Sequence, residues 1–339
     1  MELTTVWFAL IAILWIGFFC LEGFDFGVGM LLPVISKSET ERRVVINTIG
    51  PVWDGNEVWV IVAGGATFAA FPEWYATLFS GFYLPLLLIL LGLIVRGVAF
   101  EYRAKHETPQ WRARWDAAII VGSLLPAVLW GVAFANLVHG VPIDADKEFV
   151  GSVFTLLNPY GLLGGLTTGL LFLTHGAMFL ALKTDGDIRH RSRALSVKLG
   201  LAAAVVAVVF LLWTQADSGN VGSAALFVAA AATLLAGVFA AHVGREGWAF
   251  LGTFLTIALA VAGLFVALFP DVMPTTLSDG VSLTTTNAAA TAYTLKIMTV
   301  VAVAFTPIVL LYQGWTYWVF RKRISVHHIP SDSSPVHPV

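Results

Sequence analysis

The sequence predicts an all-α integral membrane protein with nine transmembrane helices, arranged as two four-helix bundles plus one peripheral helix. Two observations predict this fold class. First, 58% of the 339 residues are hydrophobic and only 12% are charged, whereas about a quarter of the residues in a soluble domain are charged. Second, the apolar residues form long continuous stretches, such as Ala117 to Ile143, and not the short alternating segments of a β-barrel.

The positions of the spans follow from the thickness of the bilayer. A hydrocarbon core about 30 Å thick requires about 20 mostly apolar residues per helix. Stretches of that size lie at 3–33, 50–71, 74–100, 116–139, 155–182, 197–215, 220–241, 247–269 and 290–320. We expect residues 1–325 to form one transmembrane domain and residues 326–339, rich in proline and serine, to form a disordered cytoplasmic tail. No basic segment precedes the first span, so we expect it to be retained and not cleaved as a signal peptide.

Basic residues predict how the helices are oriented in the membrane. Sixteen of the 19 Lys and Arg residues lie in the C-terminal segment or in the connections that share its side. Lys147 lies on the opposite side, and Arg96 and Lys296 fall within spans. Because basic residues accumulate on the cytoplasmic side, we expect an outer N-terminus and a cytoplasmic C-terminus. The formal charge of −2 gives no basic excess that would indicate nucleic-acid binding.

Ionisable residues inside the spans are the candidate functional groups. Glu22 and Asp25 lie in the first span, Asp54 and Glu57 in the second and Arg96 in the third, all in the half predicted to be cytoplasmic. Charged groups in a membrane are costly and commonly mark proton or ion pathways. We interpret the four carboxylates as a proton pathway and Arg96 as their structural counter-charge. Alternatively, Glu22 and Asp25 are hydrogen-bonded structural groups. Asp54 and Glu57 would then cap the N-terminus of the second span, where acids complement the helix dipole.

Haem and metal ligands are not expected within this chain. Cys20 is the only cysteine, which excludes a disulfide framework and a thiolate-based metal site built from this chain. His139 and His175 lie at opposite depths, so together they cannot form a bis-histidine haem site. His175 is either a hydrogen-bonded core residue, which we favour, or a lone ligand. Lys296 either extends outward to the interface, or pairs with an acid on another subunit or binds a polar ligand.

Several ordered motifs make the chain similar to a known family. They are EGFDFGVGM (22–30), GPVWDGNEVW (50–59), RGVAFEYR (96–103), NPY (158–160), TLKIM (294–298) and YQGWTYW (312–318). With these motifs the chain resembles subunit II of the cytochrome bd quinol oxidases over nearly all of residues 1–325. The chain departs from longer members in the short outer connection at residues 215–220.

The resemblance implies a terminal oxidase of the respiratory chain, an oxidoreductase complex in the bacterial cell membrane. In that family a similarly built subunit I carries haem b, haem d and the quinol site, oxidises menaquinol or ubiquinol, and reduces dioxygen to water. Subunit II is haem-free, stabilises subunit I as a heterodimer, and is accompanied by membrane lipid and in some cases by small single-span subunits. The aspartate of the Trp-Asp-Gly-Asn motif, here Asp54, lies on a proposed cytoplasmic proton route with Asp25 close by.

A secondary transporter is the alternative from another functional class. Its carboxylates would bind a coupling cation. Transporters usually hold their site near the midplane of the membrane on broken helices. Here the acidic residues lie towards one face, which favours a path that supplies protons to a partner.

Overall fold

The computed structural model describes residues 2–329 and confirms an all-α membrane fold. Its helices and strands, in chain order, are α1 (Leu3–Ile35), α2 (Glu39–Ile49), α3 (Trp53–Ala70), α4 (Pro72–Gly81), α5 (Tyr83–Tyr102), α6 (Pro109–His139), α7 (Val153–Leu156), α8 (Pro159–Lys183), α9 (Gly186–Ser218), α10 (Val221–His242), α11 (Glu246–Leu268), β1 (Asp271–Met273), β2 (Leu283–Thr284) and α12 (Ala292–Val319). Two 3-10 turns, Arg103–Lys105 and Val326–His328, follow α5 and α12. The predicted tail, 326–339, lies outside the described residues from residue 330 onward.

Eight of these helices are long and apolar enough to cross a membrane: α1, α5, α6, α8, α9, α10, α11 and α12. The predicted second span, 50–71, corresponds to α3, which has 18 residues. The first turn of α3 is rich in polar residues, among them Asp54, Asn56 and Glu57. These residues make α3 less apolar than the other eight helices, although it occupies the position of the second span.

Helix α1 lies at the centre of the structure and contacts α3, α6, α8, α11 and α12. Every residue from Glu22 to Leu32 is buried. Glycine makes its contact with α8 possible: a Cβ atom on Gly27 would lie 1.9 Å from the carbonyl oxygen of Phe172 and 2.8 Å from the Cα of Gly176. The backbones of α1 and α8 therefore touch at this crossing, as small residues allow in membrane proteins.

The predicted third span, 74–100, is two helices in the structure. Helix α4 ends at Gly81 and α5 begins at Tyr83, with Phe82 between them at φ −100° and ψ 19°. Pro85 explains the break, because a proline has no N–H to donate to the carbonyl of Gly81, four residues before it. The same residue is well placed in the first turn of α5, where an N–H would have no helical partner.

Helix α2 was not predicted, since its residues were assigned to the connection between the first two spans. It is amphipathic and buries Val44, Val45 and Ile49 against the bundle. The hydroxyl of Ser38 accepts a hydrogen bond from the backbone N–H of Glu41 and caps the helix. The sequence Ser38-Glu-Thr-Glu41 is the signal that could have predicted this start.

The last long helix, α12, is the least buried. Leu295 is its only buried residue, and the helix packs chiefly against α3 and α1. Before it, the short antiparallel pair β1–β2 and residues 141–150 close the side of the bundle where α6 and α11 end. Helix α12 and the outward faces of α3 and α5 form an uncovered side, on which Ile61, Leu90 and Leu311 are exposed; the outer faces of α9 and α10 also expose apolar side chains.

The backbone contact of α1 with α8 gives a test of this packing. We expect Gly27→Ala to destabilise the protein by about 1–3 kcal/mol, because the added methyl group meets backbone atoms that cannot move aside. Gly247→Ala is the matched control, since no atom lies within 4 Å of the position of its Cβ. Thermal unfolding of the purified protein measures both. Equal melting temperatures for the two variants would contradict the assigned crossing.

Candidate functional site

A buried arginine organises the candidate site. Arg96 on α5 is fully buried, and its Nη1 donates to Oε1 of Glu22 on α1, which is also fully buried. The same Nη1 lies 3.7 Å from Oε2 of Glu57 on α3. The guanidinium carbon lies 5.0 Å from the ring centre of Phe26 and 5.3 Å from that of Phe100. The cation is thus held by two carboxylates and two aromatic rings.

Close packing of α5 on α6 brings the arginine into this position. A Cβ atom on Gly122 would lie 2.6 Å from the carbonyl oxygen of Gly92 and 2.8 Å from the Cβ of Arg96. Only a glycine at 122 lets the two helices approach this closely. The burial of Arg96 is therefore a consequence of a glycine on the neighbouring helix.

The cluster has more hydrogen-bonding capacity than the described residues satisfy. Five atoms of the cluster are buried and have no hydrogen-bond partner within residues 2–329: Oε2 of Glu22, Oδ1 of Asp25, Oε2 of Glu57, and Nε and Nη2 of Arg96. Buried polar atoms are normally paired with protein or with water. One arginine also faces three carboxyl groups, those of Glu22, Asp25 and Glu57, and a net negative charge is costly away from water. These two features suit a site that holds exchangeable protons.

Asp25 is anchored by a hydrogen-bond network that reaches three helices. Nδ2 of Asn56 on α3 donates to Oδ2 of Asp25 over 2.6 Å and to the carbonyl oxygen of Leu21 over 3.4 Å. On α12, the hydroxyl of Tyr317 donates to Oδ1 of Asn56 over 2.7 Å, and Nε2 of Gln313 donates to the same atom over 3.3 Å. Asn56 is completely buried. The polar contacts of α12 with the rest of the site pass through this residue.

The structure brings four of the five predicted site residues together. Glu22, Asp25, Glu57 and Arg96 share one cluster, whereas Asp54 is exposed on the first turn of α3. Asp54 makes no hydrogen bond or ion pair within residues 2–329. No side chain caps α3, whose N-cap is Val52, but Asp54 lies in its first turn, where an acid complements the helix dipole. Asp54 forms no hydrogen bond with Asp25.

Three residues of the network were not singled out from the sequence: Asn56, Gln313 and Tyr317. Asn56 belongs to the Trp-Asp-Gly-Asn motif and lies two residues after Asp54, so its polarity inside a span was an available signal. Gln313 and Tyr317 are four residues apart on one face of α12. Nothing local in the sequence pairs that face with Asn56.

A second set of ion pairs lies at the helix ends on the side predicted to be cytoplasmic. Arg103 donates to both oxygens of Glu39, over 2.8 and 2.9 Å, and also pairs with Asp116. Asp116 in turn accepts from Arg42 over 2.9 Å. Although partial burial raises the pKa of Glu39, hydrogen bonds from Arg103 and nearby guanidinium charges hold it below its usual value. These pairs fix α2 against the ends of α5 and α6.

His175 and Lys296, for which the sequence left two interpretations each, lie in different surroundings. Nδ1 of His175 lies 2.7 Å from the hydroxyl of Thr253, Nε2 lies 3.1 Å from the carbonyl oxygen of Cys20, and the ring stacks on Phe250 at 4.5 Å. This is the geometry of a core histidine whose nitrogens are both occupied. Lys296 is exposed on α12 and makes no ion pair within residues 2–329.

Comparisons with known proteins agree on one family. The model of the family "Cytochrome bd terminal oxidase subunit II" matches residues 3–320. The chain is 44% identical over 330 residues to cytochrome bd ubiquinol oxidase subunit 2 of Bacillus subtilis, covering 96% of this chain and 97% of the relative. It is 38% identical to cytochrome bd-I ubiquinol oxidase subunit 2 of Escherichia coli, covering 96% of each. A chain in the structure of bd oxidase from Geobacillus thermodenitrificans shares the fold, with a TM-score of 0.78 at 16% identity, covering 95% of this chain and 100% of that one.

The buried ion pair gives a test by double mutation. We expect Arg96→Met to destabilise the protein by about 3–5 kcal/mol, because the carboxyl group of Glu22 is then left buried without its counter-charge. The double variant Glu22→Gln, Arg96→Met should regain part of this loss. Arg321→Met, at an exposed arginine stacked on Trp318, is the control and should change little. Additive effects of the two substitutions in thermal unfolding would show that the pair is not coupled.

Proposed function

Because the chain belongs to the cytochrome bd terminal oxidase subunit II family, we propose that it is the haem-free subunit of a quinol:dioxygen oxidoreductase in a bacterial cell membrane. In this proposal it stabilises a haem-bearing subunit I and supplies that subunit with protons from the cytoplasm. Quinol, either menaquinol or ubiquinol, is oxidised in the partner, as the names of the relatives suggest for ubiquinol. The observation that carries the proton-supply role is the cluster in which Arg96 pairs with Glu22 and Glu57 and interacts electrostatically with Asp25.

The assignment of haem b and haem d to the partner rests on the histidines of this chain. His175 is the histidine buried at the interior of the bundle, and both of its ring nitrogens contact protein atoms. Neither ring nitrogen of this buried histidine is free to ligate a haem iron, which supports placing both haems in the partner.

The uncovered side formed by α3, α5 and α12 supports a heterodimer. Lys296 is exposed on the membrane-spanning helix α12 of this side. Charged groups that face lipid are costly, so a protein partner that covers them is favoured over lipid. A Cβ on Gly64 or Gly65 of α3 would meet no atom within 4 Å, and such small residues allow close approach of another helix. Small single-span subunits and bound lipid would cover the remaining apolar surface.

The proton path runs inward along α3 in this proposal. Asp54 and Glu57 are three residues apart and share one side of the helix, and Glu57 is 20% exposed between solvent and the cluster. From Glu57 a proton reaches the carboxyl groups of Glu22 and Asp25, each of which has one buried oxygen that accepts no hydrogen bond within residues 2–329. Reduction of dioxygen to water consumes protons in a low-dielectric region, so an ordered set of exchangeable groups is required. Arg96 keeps the cluster from accumulating negative charge.

The transporter alternative is less well supported. Glu22, Glu57 and Arg96 lie inside continuous stretches of α1, α3 and α5, and not on the broken helices that commonly hold a transported ion. The break at Phe82 is at the other end of α5 from Arg96. Family membership also favours an oxidase subunit.

Asparagine substitutions test the path. We expect Asp25→Asn and Asp54→Asn each to slow dioxygen consumption by the complex about tenfold or more, because each removes a group that exchanges protons. The haems should remain bound and remain reducible by quinol. Asp217→Asn, at the opposite end of the bundle where Asp217 pairs with His139, is the matched control. Normal turnover and normal proton uptake in assembled Asp25→Asn and Asp54→Asn complexes would refute the proton-supply role.

The orientation of the helices is tested independently. Sixteen basic residues on the side of the C-terminus against one on the other predict a cytoplasmic C-terminus. A reporter enzyme that is active only in the cytoplasm, fused after Arg323, should therefore be active, and a periplasmic reporter at the same point should be silent. The opposite pattern would place the carboxyl cluster on the outer side and remove the cytoplasmic source of protons.

A further inference from the structure

Four side chains form a continuous hydrogen-bonded chain that ends on Asp25. Nε1 of Trp59 donates to Oε1 of Gln313 over 2.8 Å, Nε2 of Gln313 donates to Oδ1 of Asn56 over 3.3 Å, and Nδ2 of Asn56 donates to Oδ2 of Asp25 over 2.6 Å. We propose that Trp59, Gln313 and Asn56 are positioning residues that confine the exchangeable proton of Asp25 to Oδ1. This inference rests on the proposed proton path and identifies the oxygen atom of Asp25 at which the proton exchanges.

The direction of this chain is determined by the chemistry of its first member. An indole N–H can only donate, so the amide oxygen of Gln313 must face Trp59. The amide nitrogen of Gln313 then faces Asn56 and donates to its oxygen. The amide nitrogen of Asn56 consequently faces Asp25, and the carbonyl oxygen of Leu21, which can only accept, holds the second N–H of that amide. The hydroxyl of Tyr317 donates the second hydrogen bond to Oδ1 of Asn56, so all four hydrogen-bonding positions of this carboxamide are occupied.

This polarity has a consequence for proton exchange at Asp25. Oδ2 accepts from Asn56 whether Asp25 is ionised or protonated, so the proton resides on Oδ1, which accepts from no donor within residues 2–329. The neighbouring carboxyl group of Glu22 is the group with which Asp25 can share that proton. No hydrogen bond in the chain must reverse when the proton arrives or leaves. With the amide of Asn56 turned the other way, its oxygen would accept the O–H of protonated Asp25 and retain the proton. The charged and titratable groups around Asp25 are Glu22, Glu57, Arg96 and Tyr317.

The hydrogen-bonded series from Trp59 to Asp25 also links Asp25 to α12, the least buried of the long helices. Gln313 and Tyr317 both belong to α12, which otherwise packs only sparsely on α1 and α3. The orientation of the Asn56 amide therefore depends on α12 being seated against α3. Because α12 forms part of the uncovered side proposed to meet subunit I, docking of the partner would secure the proton-exchanging geometry of Asp25.

Two substitutions test the donor-to-acceptor direction of these hydrogen bonds. Gln313→Glu keeps the size of the side chain, but an ionised carboxylate can only accept, so the Asn56 amide must turn its N–H groups away from Asp25. Trp59→Phe removes the indole N–H that fixes Gln313. Tyr312→Phe is the matched control, because Tyr312 directly precedes Gln313 on α12 but is 66% exposed and is not part of the network. All three are made in the whole complex, and haem content verifies assembly.

Infrared difference spectra, recorded when the complex is reduced, measure hydrogen bonding to Asp25 directly. A change in helix packing alone does not shift the measured band. The C=O stretching band of protonated Asp25 is identified by its loss in Asp25→Asn. We expect this band to shift to higher frequency in Gln313→Glu and Trp59→Phe, where the carbonyl loses the bond from Asn56, and to stay in place in Tyr312→Phe. Turnover should fall about three- to tenfold in the first two variants.

The outcomes separate this inference from the proton path itself. An unshifted Asp25 band and normal turnover in Gln313→Glu and Trp59→Phe, together with slow turnover in Asp25→Asn, would overturn the positioning role and leave the path standing. Normal turnover in Asp25→Asn would overturn the path. If Trp59→Phe fails to assemble, Gln313→Glu alone decides the question, since it changes no volume.

Discussion

The fully buried ion pair of Arg96 with Glu22 is the constraint on which the rest of the site depends. A guanidinium group removed from water is tolerable only beside counter-charges and aromatic rings. Helices α1 and α3 supply the carboxylates, and α1 and α5 supply the rings. That requirement fixes the depth and rotation of the three helices relative to one another. Gly122 and Gly27, at the crossings of α6 and α8 with these helices, allow the backbones to approach closely enough.

The same pair gives the cluster its chemical character. One cation faces two buried carboxyl groups and the partly buried one of Glu57, which leaves a charge that protons balance most easily. Five polar atoms of these groups have no hydrogen-bond partner within residues 2–329. In the proposed function this imbalance is what allows protons to enter from Asp54 and Glu57 and to be passed to the partner. The hydrogen bonds that hold Asp25 through Asn56 would then determine the atom on which exchange takes place.

Membrane class, the position of the spans and the gathering of carboxylates were predictable, because hydropathy and the spacing of basic residues act locally along the chain. Details that depend on contacts between distant helices were not. Two local signals, Pro85 after the break at Gly81 and Ser38 at the start of α2, were available but do not register in hydropathy averaged over a span. Gln313 meets Asn56 across 257 residues, which no local pattern reveals. Asp54 was expected beside Asp25, but its place in the first turn of α3 turns it outward.

A high-resolution density map of the whole complex tests the central claim most directly. The claim that the cluster passes protons to the partner predicts ordered water bonded to Nε and Nη2 of Arg96, to Oε2 of Glu22 and to Oδ1 of Asp25. It also predicts that this water continues to polar side chains of the partner across the face formed by α3 and α12. Apolar partner side chains packed directly on these atoms, with no water between them, would show a sealed structural ion pair and contradict the account.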